Sequence, residues 1–390
     1  MSVQPLTIKN ARVWDGQGTV ERDLYTSDVV LDKPHPKAIT VDLSGYTIFP
    51  GLINAHDHLE LNHFPRTKFR ERYDNAHQWG EDINARLNES PFRELRAYPL
   101  EDRLLIGGLK TLLCGVTTVA HHNPPHKLLF RKDFPVRVLR KYGWAHSLHF
   151  STDEEVVRSY RSTPPDAPWF IHLAEGMDDV AAGEYQRLKA LGCVGKNTVI
   201  VHGVGMTDED IADAAPRVRG LVWCPTTNAF MFDWKEDDWN RQFSKLSLWE
   251  RAGGKWALGS DSRLTAQGDL LHEMKKVRHI ASVTFNAAQI LGDNSCADWL
   301  AVTSSVPDDN TMDALRLRAD LALVVRGGIP QIGDPDVMVK FPHVETVEAT
   351  LDGVPKLINA KLARQIAKSS LKEPGLELLG KPKPRMFTFI

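Results

Sequence analysis

From residue 46 onward, apolar runs of strand length alternate with amphipathic stretches, and this alternation limits the fold more than any other feature of the chain. The runs lie at residues 47–55, 116–121, 144–150, 169–174, 198–203, 220–224 and 255–259. Between them, residues 100–113, 180–191 and 208–215 carry helical periodicity. Strands separated by helical crossovers imply a parallel sheet, and continuous apolar runs fit strands buried on both faces. An eighth strand is expected at 135–140, immediately before the 144–150 run and with no helix between them. The fold class expected is α/β, a (β/α)8 barrel.

The two ends read differently. Residues 5–46 contain short strand-like pieces broken by the turn Asp15-Gly16-Gln17-Gly18. Strand character returns at 319–325, turns at Arg326-Gly327-Gly328, and continues in a hairpin with Asp352-Gly353 at its tip. Residues 1–46 and 310–366 are therefore expected to form one small composite β-sandwich domain enclosing a barrel over 47–309. Residues 367–390, rich in Lys and Pro, are expected to be a surface tail. The length of 390 residues suits one large and one smaller unit.

Charge excludes some partners. There are 48 Lys+Arg against 50 Asp+Glu, a net charge of -2, without the basic excess that nucleic-acid binding requires. No run of about 18 apolar residues is present, so no membrane span is expected. The first residues lack a basic start and an apolar core, which argues against a secretory signal. Cys114, Cys193, Cys224 and Cys296 are widely spaced and form no C-x-x-C, so neither disulfides nor a zinc knuckle is expected. A cytoplasmic enzyme with a small-molecule substrate is the expectation, and a homo-oligomer is compatible with it.

The chemistry is concentrated at strand ends. His56 and His58 form an H-x-H at the end of the first run, and residues two apart on a strand point the same way. His172, His202 and Asp261 end three later runs, and Glu175 follows His172 by three residues. A polar side chain in an apolar run needs a partner or a task, and barrel enzymes build their sites at this end of their strands. Three neutral imidazoles with one carboxylate suit a divalent zinc or ferrous ion that lowers the pKa of a bound water. Glu175 is then the candidate proton carrier, with His202 polarising the electrophile. His121, His122, His146 and Arg263 are candidates to line the substrate pocket, Arg263 through its planar fork. Residues 230–243 mix aromatic and acidic side chains as either a lid or an ordinary amphipathic helix. Cys224 reads as a packing residue, and no G-x-S-x-G supports a serine nucleophile.

Taken in order, these segments resemble the amidohydrolase superfamily. LTIKNARVWDG at 6–16 resembles its opening sandwich strands, and YTIFPGLINAHDH at 46–58 its entry into the barrel. GVTTV at 115–119, HLAE at 172–175, VHGVGMTDED at 201–210, CPTTN at 224–228, LGSD at 258–261 and ADLALVV at 319–325 follow in the family order. The pattern is most similar to the mononuclear branch, with cytosine and guanine deaminases and triazine hydrolases. The resemblance implies His56, His58, His172 and Asp261 as ligands of one metal, Glu175 as proton shuttle, and His202 beside the reacting centre; Asn228 in CPTTN joins the substrate-binding candidates. No lysine stands where a carbamylated bridge would require one, so a single ion is expected. The run SRLTAQGD at 262–269 departs from the glycine- and asparagine-rich loop of many deaminases. Hydrolysis of a non-peptide C–N bond, chiefly deamination of an amino-substituted heterocycle, is therefore expected. Ring-opening cyclic amide hydrolysis, dechlorination or ester hydrolysis on the same site, and a non-enzymatic scaffold, are the alternatives.

Overall fold

The computed structural model describes residues 3–292, 297–304, 315 and 317–380. Eight parallel strands follow one another in chain order: β1 (Leu52–Asp57), β2 (Val116–His121), β3 (Arg137–Val138), β4 (Gly143–Ser147), β5 (Trp169–Leu173), β6 (Thr198–His202), β7 (Gly220–Trp223) and β8 (Trp256–Leu258). They pair as two ladders, β1-β2-β3 and β4 through β8. A parallel bridge between Asp57 and Asp261 links the end of β1 to the end of β8. Between β3 and β4 there is no ladder among the described residues. The strand expected at 135–140 thus exists, but only two of its residues pair, and β4 follows it without a helix.

The helices between strands begin where local chemistry starts them. Thr152 accepts from Glu155 N and the Glu155 carboxylate accepts from Thr152 N, a reciprocal cap on the helix Asp153–Ser162. Asp178 and Thr207 cap the helices Asp179–Ala190 and Asp208–Ala214 in the same sense. Residues 230–243 run from the helix Pro225–Phe232 through Asp233, in left-handed conformation, into the helix Glu236–Arg251, and Met231 among them lines the cavity described below. Trp234, Trp239 and Phe243 of this stretch pack with the buried Trp223 of β7. Contact of these rings with Trp223, with Trp234 itself buried, holds the segment against the barrel as an amphipathic helix pair.

Both chain ends enter one nine-stranded sheet. Tyr46–Pro50 pairs antiparallel with Trp299–Thr303 and parallel with Arg12–Trp14. A four-stranded sheet built on Leu6–Lys9 packs against it through a shared core of Leu6, Ile8, Val41, Ile48, Trp299 and Leu323. The expected run 47–55 is therefore two strands with different partners. Gly51 separates them, because a Cβ there would lie 2.3 Å from Thr117 Oγ1. Trp299–Thr303 already belongs to the outer sheet, ahead of the boundary expected at 310, and residues 305–314 lie outside the described residues, as does Cys296. Leu376–Leu378 pairs with Thr346–Leu351, so the chain beyond 367 contributes an edge strand and not only a surface tail. Residues 381–390 of that expected tail are outside the described residues. No helix of the described residues is long and apolar enough to cross a membrane.

Candidate functional site

Three strand ends turn sharply to present polar groups. Ala174, His202 and Asp261, which close β5, β6 and β8, have φ of 53°, 73° and 49°. The left-handed region costs a residue with a Cβ about 1–2 kcal/mol, and such cost gathers at functional sites. The turns re-aim the chain just where the apolar runs end.

Four sequence-selected side chains meet there. His172 Nε2 lies 3.3 Å from both His56 Nε2 and His58 Nε2. Asp261 Oδ1 lies 3.7 Å from His56 Nε2 and 3.5 Å from His58 Nε2. Donors at about 2.1 Å from a tetrahedral ion are about 3.4 Å apart, so this set has the right size for one. Asp261 Oδ2 accepts from Thr265 Oγ1 at 3.0 Å, which leaves Oδ1 to face the imidazoles.

Hydrogen bonds fix the tautomers. His172 Nδ1 donates to the His146 carbonyl at 2.8 Å, leaving Nε2 as a bare lone pair. His122 Nε2 donates to the Ala145 carbonyl at 3.0 Å, so its Nδ1 accepts from His56 Nδ1 at 3.3 Å. His56 Nε2 is thereby bare as well. Support of this kind orients metal-binding imidazoles and raises their basicity. Burial, followed by the neighbouring imidazoles, holds His56, His122 and His172 well below the usual histidine range. All three are neutral at pH 7.

Glu175 and His202 stand beside this cluster, with His202 Nε2 3.3 Å from Glu175 Oε1. Asn228 Nδ2 donates to His202 Nδ1 at 3.1 Å and approaches Glu175 Oε1 at 3.3 Å, so the His202 proton sits on Nε2. Burial foremost, then Asp261 and Glu184, pushes the Glu175 carboxyl well up. Burial lowers His202 to about 4.

These groups open into a cavity of about 620 Å³, of the size that holds a small organic ligand. His58, His172, Glu175, His202 and Asp261 lie at its inner end, and His146 lines it as expected. Several other expectations need correction. His122 is behind His56, with both nitrogens engaged by protein. His121 is buried against Glu60 at 3.7 Å. Arg263 grips the buried Glu373 at 2.5 and 2.8 Å and takes no part in the cavity wall. Asn228 likewise touches the catalytic candidates instead of lining the cavity. Protein partners engage His122 and Arg263 before a ligand can, whereas His121 Nε2 and Asn228 Oδ1 are buried without a hydrogen-bond partner among the described residues. Cys224 is buried, and burial pushes its thiol well up, which fits packing.

Sequence reasoning missed a second tier of residues. Glu184 Oε2 accepts from Ala174 N at 2.6 Å, and Glu184 Oε1 accepts from His77 Nε2 at 2.8 Å. Lys110 and Asp57 form a buried pair beneath the H-x-H. The available signal for Lys110 was a charge in the otherwise uncharged stretch 104–113 of the helix Leu100–Leu113.

No family model matches the chain, and no curated protein is similar to it. Solved structures share its fold. An adenosine deaminase from Xanthomonas campestris with bound zinc is 16% identical at a TM-score of 0.64, over 87% of this chain and 96% of that one. An atrazine chlorohydrolase from Arthrobacter aurescens complexed with zinc is 17% identical at 0.63, over 83% and 94%. An N-isopropylammelide isopropylaminohydrolase from Burkholderia multivorans is 18% identical at 0.55, over 84% and 98%. At these identities the likeness is one of fold.

Proposed function

We propose that the chain is a mononuclear metal-dependent hydrolase of the amidohydrolase superfamily, acting on a C–N bond of a small molecule and most specifically deaminating an amino-substituted heterocycle. The observation that carries this reading is the convergence of three imidazole Nε2 atoms, those of His56 and His172 bare, on the Asp261 carboxylate at the inner end of the cavity. The eight parallel strands support a (β/α)8 barrel as the frame, and the two packed outer sheets support a β-sandwich domain built from both chain ends.

His56, His58 and His172 through Nε2, and Asp261 through Oδ1, would hold the ion. The neutral nitrogens and single carboxylate suit zinc, with ferrous iron as the alternative. Such an ion, when bound, supplies the Lewis acidity that brings a water's ionisation toward pH 7. The remaining work belongs to the chain. Glu175 takes the proton of the attacking water and returns it to the departing nitrogen. His202, with its proton on Nε2, donates toward the reacting centre and polarises the electrophile as the water adds. Asn228 holds both in register. The fold likeness to a deaminase, a chlorohydrolase and an aminohydrolase supports hydrolysis at a ring carbon bearing a leaving group.

The test is purified protein loaded with zinc and screened on amino-substituted heterocycles, scoring ammonia, chloride and ring-opened acid separately. One zinc per chain and ammonia release are expected, with at least about 100-fold loss in Glu175→Gln. Full zinc occupancy in His172→Ala would refute the ligand assignment. Unchanged turnover in Glu175→Gln would refute the proton-transfer role.

A further inference from the structure

The cavity extends well past the reacting groups, and its outer half has a different chemistry. Phe64, Trp79, Ile83, Leu87, Phe92 and Leu264 give it an apolar wall. The acids lining it sit toward the inner end: Glu175 and Asp261 in the reacting cluster, and Glu184 on Ala174 N. Glu60 also lines it: its Oε1 accepts from Asn123 Nδ2 at 2.6 Å, and its Oε2 lies 3.7 Å from His121 Nε2 without a hydrogen bond. Among the described residues, Arg96 and Arg103 are the only permanent cations in the lining. Arg96 donates to the Leu87 carbonyl at 3.1 Å and is otherwise exposed. Arg103 is half-buried, and its Nε is shielded from solvent with no hydrogen-bond partner in the protein.

A guanidinium carries five N–H donors and stays charged. A shielded, unpartnered N–H is costly unless something accepts it. The position of Arg103 also sets a distance. Arg103, Gly107 and Lys110 lie on one face of the helix Leu100–Leu113. Lys110 Nζ reaches Asp57, and at 3.4 Å the Asp261 carbonyl, at the level of the reacting cluster. Seven residues at 1.5 Å each place Arg103 about 10 Å further along the axis, toward the N-terminal end of the helix.

We propose that Arg103 is an anion subsite for the distal end of the substrate, so that this enzyme takes molecules with a carboxylate separated from the reacting carbon by an apolar arm spanning about 10 Å. The inference rests on the hydrolase reading for the identity of the reacting end, but binding to Arg103 is measurable without turnover.

The probes are an aminotriazine bearing a carboxypentyl arm and the neutral carboxamide of the same arm. Calorimetry on the zinc-loaded Glu175→Gln protein should show the carboxylate binding about tenfold or more tighter, the range of a charge-assisted hydrogen bond. Adding Arg103→Gln should abolish this preference while leaving amide affinity within about twofold, and Arg103→Lys should retain part of it. The preference should shrink as salt rises. Equal affinities in the parent, a preference that survives Arg103→Gln, or no binding by either probe would each overturn the proposal. Selective binding of the carboxylate with no ammonia release by the Glu175 enzyme would leave the subsite standing and refute the hydrolase reading instead.

Discussion

Lys110 Nζ donates to Asp57 Oδ2 across 3.0 Å, with 1% and 0% of their side chains exposed. Asp57 is the central residue of the H-x-H, so its neighbours His56 and His58 point one way while its carboxylate points the other. Around the pair, Asn54, Asn62 and Ser260 supply further hydrogen bonds to Asp57. Removing one member leaves a buried charge without its partner, which costs about 3–5 kcal/mol. Lys110→Met is therefore expected to lower unfolding free energy by that amount in urea titrations. Lys110→Met with Asp57→Asn should recover part of the loss. A single variant as stable as the parent would show that the pair is not what holds this corner together.

Asn228 bridges His202 and Glu175 without lining the cavity. Outer partners of this kind typically contribute 10–100-fold in activity, roughly, when removed. Asn228→Ala should lower kcat by about that factor while zinc content and KM stay near the parent values. Loss of zinc in this variant, with kcat per bound zinc unchanged, would assign Asn228 a purely structural part.

Glu273 is fully buried beside Thr226, accepting from Thr226 N at 2.8 Å and pairing with Thr226 Oγ1. Burial pushes its carboxyl from 4.5 up to about 7 despite these bonds. A raised carboxyl pKa means that the folded chain holds the proton more tightly than the unfolded chain. This stabilisation is complete below about pH 4.5 and is lost as pH rises to about 7. A shift of this size corresponds to roughly 3 kcal/mol. Glu273→Gln stays neutral and can still bond Thr226, so its stability should gain on the parent by about that amount between pH 5 and 8. Denaturation curves that stay parallel across this range would count against the assignment.

Gly107 lies where the helix Leu100–Leu113 meets Leu59–Leu61, and a Cβ there would sit 2.2 Å from the Leu59 carbonyl oxygen. Alanine would add about 1 kcal/mol of helix propensity. Pushing the helix off the backbone just beyond His58 costs about 1–3 kcal/mol. Gly107→Ala is expected to destabilise on balance and to weaken zinc binding, read by thermal melts and zinc titration. A higher Tm would show that the helix shifts without strain.

The residues that the structure brings together are the ones whose signal in the sequence was local. A two-residue period placed His56 and His58 on one side of β1, and polar residues closing apolar runs marked His172, His202 and Asp261. Sequence reasoning failed where function depended on which partner a polar group finds. Arg263 presents the same fork whether it meets a ligand or Glu373, and Glu373 is 110 residues away. His121 and His122 adjoin His56 only because β2 pairs with β1. Arg103 and Lys110 look alike as charges on one helix, although one faces the cavity and the other is sealed beneath the strand ends.

What the sequence by itself determined is the order of parallel strands and the gathering of polar side chains, His56, His58, His172, His202 and Asp261 among them, at one end of the sheet. These follow from periodicity and from the cost of leaving a polar side chain in an apolar run. Only the tertiary structure decided which imidazole nitrogens are bare, which arginine is satisfied by protein, and how far the cavity reaches beyond the reacting groups. Those properties are set by hydrogen bonds between residues remote in the chain, and a pairing of that kind leaves no periodic trace in sequence.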